Sequence, residues 1–143
     1  MTKAETEKII KDVKKIYDRI TECSQRAQLD TFLSYYDNSS SFLSFSSDGK
    51  MSNYEDFKQA CRKYYLSLRE QTVTTIQEKF NVLDANLVIV GWTGNITAIF
   101  KNGEIMKMDN YSITSVFKKV DGSWRVIHDH ESALPPEIIK QVK

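Results

Sequence analysis

The sequence predicts an α+β fold in which three N-terminal helices pack on one face of a curved antiparallel sheet. Two observations carry this. Apolar residues recur every three or four positions up to about residue 70, and every second position after it. The second half is also punctuated by short turn signals, Asp84-Ala85-Asn86, Asn102-Gly103 and Asp121-Gly122, of the kind that join antiparallel strands. At 143 residues, 41% of them hydrophobic and 27% charged, the chain fits a single domain, 1–143, with a real core.

The first helix opens at Thr2, where Glu5 can complete a capping box. Ile9, Val13, Ile16, Ile20, Cys23 and Ala27 form its apolar stripe. A short second helix is expected over 29–36 and ends in the Asp37-Asn38-Ser39-Ser40 cluster. A short strand over 41–46 and a turn at Asp48-Gly49 follow. Ser52 and Glu55 suggest a capping box for the third helix, with Phe57, Cys61, Tyr64 and Leu68 inward. Four long strands are then predicted over 71–83, 86–100, 104–119 and 123–132, and Pro135-Pro136 stops the last.

Several function classes lose support at this level. The net charge is +1, with no basic block to attract nucleic acid. No apolar run reaches the roughly 18 residues of a membrane span, and the first residues lack a signal-peptide core, so a cytoplasmic protein is expected. Cys23 and Cys61 lack metal-site spacing, and there is no phosphate-binding glycine loop or nucleotide fingerprint. No metal or cofactor is expected.

Strand alternation turns register into a site. With two-residue turns at Asn102-Gly103 and Asp121-Gly122, Ile96 lies opposite Asp109, Trp92 opposite Ile113, Phe117 opposite Val126, Ser115 opposite His128 and Ile113 opposite His130. The concave, helix-covered face then collects Trp92, Ile96, Ile113, Phe117, Trp124 and Val126 with the polar groups Asp109, Tyr111, His128 and His130. The preceding segments are expected to add Tyr17, Phe32, Tyr35, Phe45 and Tyr65. Aromatic walls with a few polar groups are the usual make-up of a small-molecule site.

The segment Phe117-Lys-Lys-Val-Asp-Gly-Ser-Trp-Arg-Val-Ile-His-Asp-His-Glu-Ser132 resembles the closing hairpin of the SnoaL-like branch of the NTF2-like superfamily. It is similar in particular to relatives of the calcium/calmodulin-dependent protein kinase II association domain. Their pattern Asp-Gly-x-Trp-x-x-x-His-x-His-x-Ser is matched by Asp121, Gly122, Trp124, His128, His130 and Ser132. The resemblance implies a cystatin-like cone with a pocket, and commonly a homodimer through the convex sheet face. It does not imply one reaction, because the fold hosts isomerases, cyclases, dehydratases and assembly modules.

Two function classes therefore stand side by side. One is a pocket that binds a small organic ligand, with Asp109 or His130 as general base and Tyr111 or His128 as hydrogen-bond donor. Histidine suits such a role because imidazole exchanges protons near neutrality. The other is an oligomerisation or ligand-sensing module, in which the histidines merely support the closing strand. A metal held by His128, His130 and Asp109 has the right ligand types but only three short-spaced groups.

Overall fold

The computed structural model describes residues 1–140. Helix α1 (Lys3–Gln25) starts where Thr2 and Glu5 cap each other reciprocally, which satisfies amide donors that a free helix end would leave unpaired. It buries Val13, Tyr17, Ile20 and Cys23. Helix α2 (Leu29–Leu33) is only five residues long, shorter than the predicted 29–36. Strands β1 (Leu43–Phe45) and β2 (Met51–Ser52) form a small hairpin before α3 (Tyr54–Ser67), so the helices do not all precede the sheet.

Helix α3 is capped one residue later than predicted. Asn53, not Ser52, accepts the amide of Asp56 at 2.9 Å, because Ser52 is held in β2. Asn53→Ala should therefore cost about 1 kcal/mol, seen as a lower urea midpoint with an unchanged m-value.

The long strands are β3 (Leu68–Asp84), β4 (Leu87–Phe100), β5 (Ile105–Val120) and β6 (Ser123–Ser132), followed by β7 (Glu137–Ile139), which the sequence did not announce. The sheet order is β2-β1-β6-β5-β4-β3, with β7 paired to the free stretch of β5. It is a curved, open sheet of mixed sense, not the wholly antiparallel one expected, because β1 runs parallel to β6. Strand β3 is a long edge interrupted by register shifts between Leu68 and Glu70, Thr75 and Gln77, and Val82 and Asp84. Bulges of this kind discourage edge-to-edge pairing with another chain. The core lies between the helices and the sheet, where Phe117, Val88, Val90 and Val126 are completely or almost completely enclosed.

Candidate functional site

Three local irregularities decide which side chains face the helices. The Asp121-Gly122 turn is the expected two-residue type, with both residues at positive φ (49° and 82°). The Asn102-Gly103 turn is longer. Phe100 and Glu104 bracket a three-residue loop that returns through Gly103 at φ 89°, so Ile99 faces Ile105. A bulge at Asn110, at φ 54°, then cancels the slip and restores the predicted Trp92–Ile113 pair. Between the two shifts Ile96 faces Met108, and Asp109 is turned out into solvent.

The bulge in β6 matters more. Phe117 pairs with Val126 as predicted, but Val116 pairs with His128, so Ile127 is an extra residue. Every later side chain of β6 changes face. Ser115 meets Asp129 and Ile113 meets Glu131, where His128 and His130 were expected. The bulge falls where β6 changes neighbours on its other edge. The Tyr35–Asp37 segment bonds to both backbone groups of Val126, and β1 takes over at His128.

The expected site residues are thus sorted anew. Trp92, Tyr111, Phe117, Trp124 and Val126 are buried in the core, as is Tyr65 from α3, with Ile96 and Ile113 packed against it. Asp109, His128 and His130 are not on this face. His128 Nδ1 lies 2.9 Å from the carbonyl oxygen of Leu43, and His130 stacks on Phe45 with ring centroids 5.0 Å apart. Phe45 follows them outward because the parallel register Ser44–Asp129, Phe45–His130 sends Ser44 inward instead. Tyr35 is only half-buried, and its neighbour Tyr36 takes the core position. Among the described residues no three metal-capable side chains converge.

The groups that do converge are two carboxylates and their donors. Asp129, 2% exposed, accepts a hydrogen bond from the Ser44 hydroxyl. Glu131 accepts one from the Tyr111 hydroxyl. Burial pushes Asp129 up to about 6, against a smaller opposing pull from Ser44. Burial pushes Glu131 up to about 7, helped by the negative charge of Asp129 and resisted by the Tyr111 bond. Burial also raises the Tyr111 hydroxyl well above the usual phenol range, so it remains a donor. From above, α3 brings the Cys61 thiol and the Tyr64 hydroxyl into range, raised first by burial and then by the Glu131 charge, Tyr64 to about 12. Tyr17 of α1 is raised by burial, with Asp129 among the charges it senses.

Much of the space beneath the helices is filled by rings: Phe32, Tyr36, Phe42, Phe57 and Tyr65 stack or meet edge-on, with neighbouring centroids 4.8–6.4 Å apart. Two open clefts, of about 260 and 480 Å³, lie away from the carboxylates. The carboxylates, with Ser44 and Tyr111, thus form a polar patch in an aromatic interior.

Uninterrupted alternation from His128 and His130 on the concave face would put Asp129 and Glu131 on the outer face. One signal was present. The apolar doublet Val126-Ile127 breaks the alternation at the point where the bulge occurs. Asp109-Asn110 in mid-strand was a second, since Asn tolerates positive φ and disfavours strands.

The sequence profile of the SnoaL-like domain family matches residues 13–136. No curated protein matches the chain. Among solved structures, a type 2 hexachlorocyclohexane dehydrochlorinase superposes with a TM-score of 0.79 over 99% of this chain and 95% of its own, at 8% identity. The association domain of C. elegans CaMKII gives 0.70 over 92% and 99%, at 15% identity. An NTF2-like superfamily protein of Salmonella enterica serovar Typhimurium gives 0.76 over 91% and 94%, also at 15% identity. At these identities the structural likeness is one of fold. The profile match covers most of the chain, and with it this protein belongs to the SnoaL-like domain family.

Proposed function

We propose that the protein binds a small, partly apolar organic molecule against the concave side of its sheet and exchanges a proton with it. Glu131 is the exchanging group and Tyr111 the donor to the carboxylate or to a developing oxyanion. The observation that supports this best is the inward pair Asp129 and Glu131, raised to about 6 and about 7 with only hydroxyl donors beside them. A general acid–base works best when its pKa is near the working pH, and buried, perturbed carboxyls concentrate at functional sites. With a value of about 7, Glu131 can give or take a proton around neutral pH. A protein named a hexachlorocyclohexane dehydrochlorinase shares the fold.

The test is deuterium exchange from D2O into the α position of a panel of cyclic and aryl ketones, followed by NMR. Exchange above the buffer rate is expected, lowered roughly 100-fold or more by Glu131→Gln and about tenfold or more by Tyr111→Phe. Absence of exchange in every ketone, or a wild-type rate in the Gln variant, would overturn the reading.

A second reading, assembly into a homodimer through the outer sheet face, is favoured by the stacked Phe45–His130 pair there and by Met51, which is 63% exposed beside it. Ile89, Thr93, Thr97 and Thr114 share that face, whereas Asp129, expected there from the sequence, does not. Light scattering after size exclusion decides it, and a monomer at all concentrations sinks it.

A further inference from the structure

A cleft of about 260 Å³ lies between α2, the segment after it, the first turns of α3 and β6, on a different flank from the inward carboxylates. Lys58 of α3 and Arg125 of β6 line it, together with the rings of Tyr36 and Tyr54 and the polar side chains of Asn38 and Asp30. Tyr54 and Lys58 are one helical turn apart, which puts both on the same side of α3.

We propose that this cleft is a binding site for the anionic end, carboxylate or phosphate, of a small aromatic molecule whose ring lies against Tyr54. Lys58 and Arg125 are both half-buried. Among the described residues neither forms an ion pair, although six such pairs occur elsewhere on the chain. A partly desolvated cation without a counter-charge is unfavourable, and an incoming anion relieves that cost. The Arg125 charge reaches the Tyr54 hydroxyl, where it opposes the upward push of burial, so charge and ring address the same space. Two cations against the single carboxylate of Asp30 leave the walls net positive. An arginine fork suits the planar, paired oxygens of a carboxylate or phosphate. The volume is below the roughly 300–1,000 Å³ of sites for drug-sized ligands, so the ligand is compact.

The test is a 1H–15N NMR titration of the full chain with benzoate, phenyl phosphate and inorganic phosphate, at ionic strength held constant with sodium chloride. Saturable shifts are expected at the Asn38 side-chain amide and the Arg125 Nε–H, with phenyl phosphate or benzoate binding more tightly than inorganic phosphate. Response to only one of the two aromatic ligands identifies the anion. Arg125→Gln and Lys58→Gln should each weaken binding about tenfold, and Asp30→Asn should tighten it about threefold. Melting curves check the fold of each variant, and Lys58→Gln with Asp30→Asn carries the test if Arg125→Gln does not fold. Shifts that fail to saturate or are reproduced by chloride, unchanged affinity in the folded cation variants, or weaker binding in Asp30→Asn would overturn the proposal. Glu131→Gln, which disables the proposed proton transfer, should keep this binding, so the two readings fail separately.

Discussion

Raising the pH from about 5 to about 8 should lower the stability of this protein by on the order of 3 kcal/mol, a fall of roughly 10 °C in melting temperature for a chain of this size. The cause is the inward carboxylate pair. Asp129 and Glu131 have folded-state values of about 6 and about 7, against roughly 4 in an unfolded chain. The folded protein therefore holds two protons that the unfolded chain has already released. That stabilisation is complete below about pH 4 and is lost as pH rises through 6 and 7. Glu131 is only half-buried, so its share is reduced by solvent. Thermal or urea melts between pH 4 and 8 read the slope. Asp129→Asn should remove its lower part, Glu131→Gln its upper part, and the double variant should be nearly flat. Asn at 129 can still accept from Ser44, and Gln at 131 from Tyr111, so packing is conserved. A wild-type stability that rises with pH over this range would contradict the placement of the pair.

Gly94→Ala should cost about 3 kcal/mol, whereas Gly91→Ala on the same strand should cost almost nothing. A methyl group at position 94 would stand 2.4 Å from the Thr74 carbonyl oxygen and 2.4 Å from the Trp92 ring carbons Cη2 and Cζ2. The indole lies across this glycine and donates from Nε1 to the Thr75 hydroxyl at 2.9 Å. It cannot retreat without breaking that bond and opening a void in the core. Around Gly91 nothing lies within 4 Å of an added methyl. Because Trp92 flanks Ile113 and through it Glu131, the Gly94 variant should also disturb the carboxylate titration, which the Gly91 variant should leave intact. Urea denaturation of the two variants side by side checks the difference, and equal costs would show that the ring has room to move.

Much of the fold was legible because it depends on local signals. The Thr2–Glu5 cap, the apolar stripe of α1 and the period change near residue 70 located the elements to within a few residues. The Asp121-Gly122 turn was read correctly because its two positive φ values need those residue types. Strands β2 and β7 were missed, since two or three residues carry no period to detect. The parallel pairing of β1 with β6 was missed as well, because a contact across more than eighty residues leaves no mark in either segment.

The sequence by itself thus determined the family, the order of the longer elements and the buried apolar wall of Trp92, Tyr111, Phe117, Trp124 and Val126. Only the tertiary structure decided which polar side chains join that wall. Alternation along a strand is a parity, and one extra residue reverses it for everything that follows. The bulge at Ile127 exchanged His128 and His130 for Asp129 and Glu131, and the bulge at Asn110 left Asp109 in solvent. Apolar residues survive such a shift as a recognisable set, because burial selects them by type. Polar residues in a strand such as His-Asp-His-Glu give no such guide, and the choice rests with the neighbouring strand, here the segment from Tyr35 to Phe45 that grips β6 on either side of its bulge.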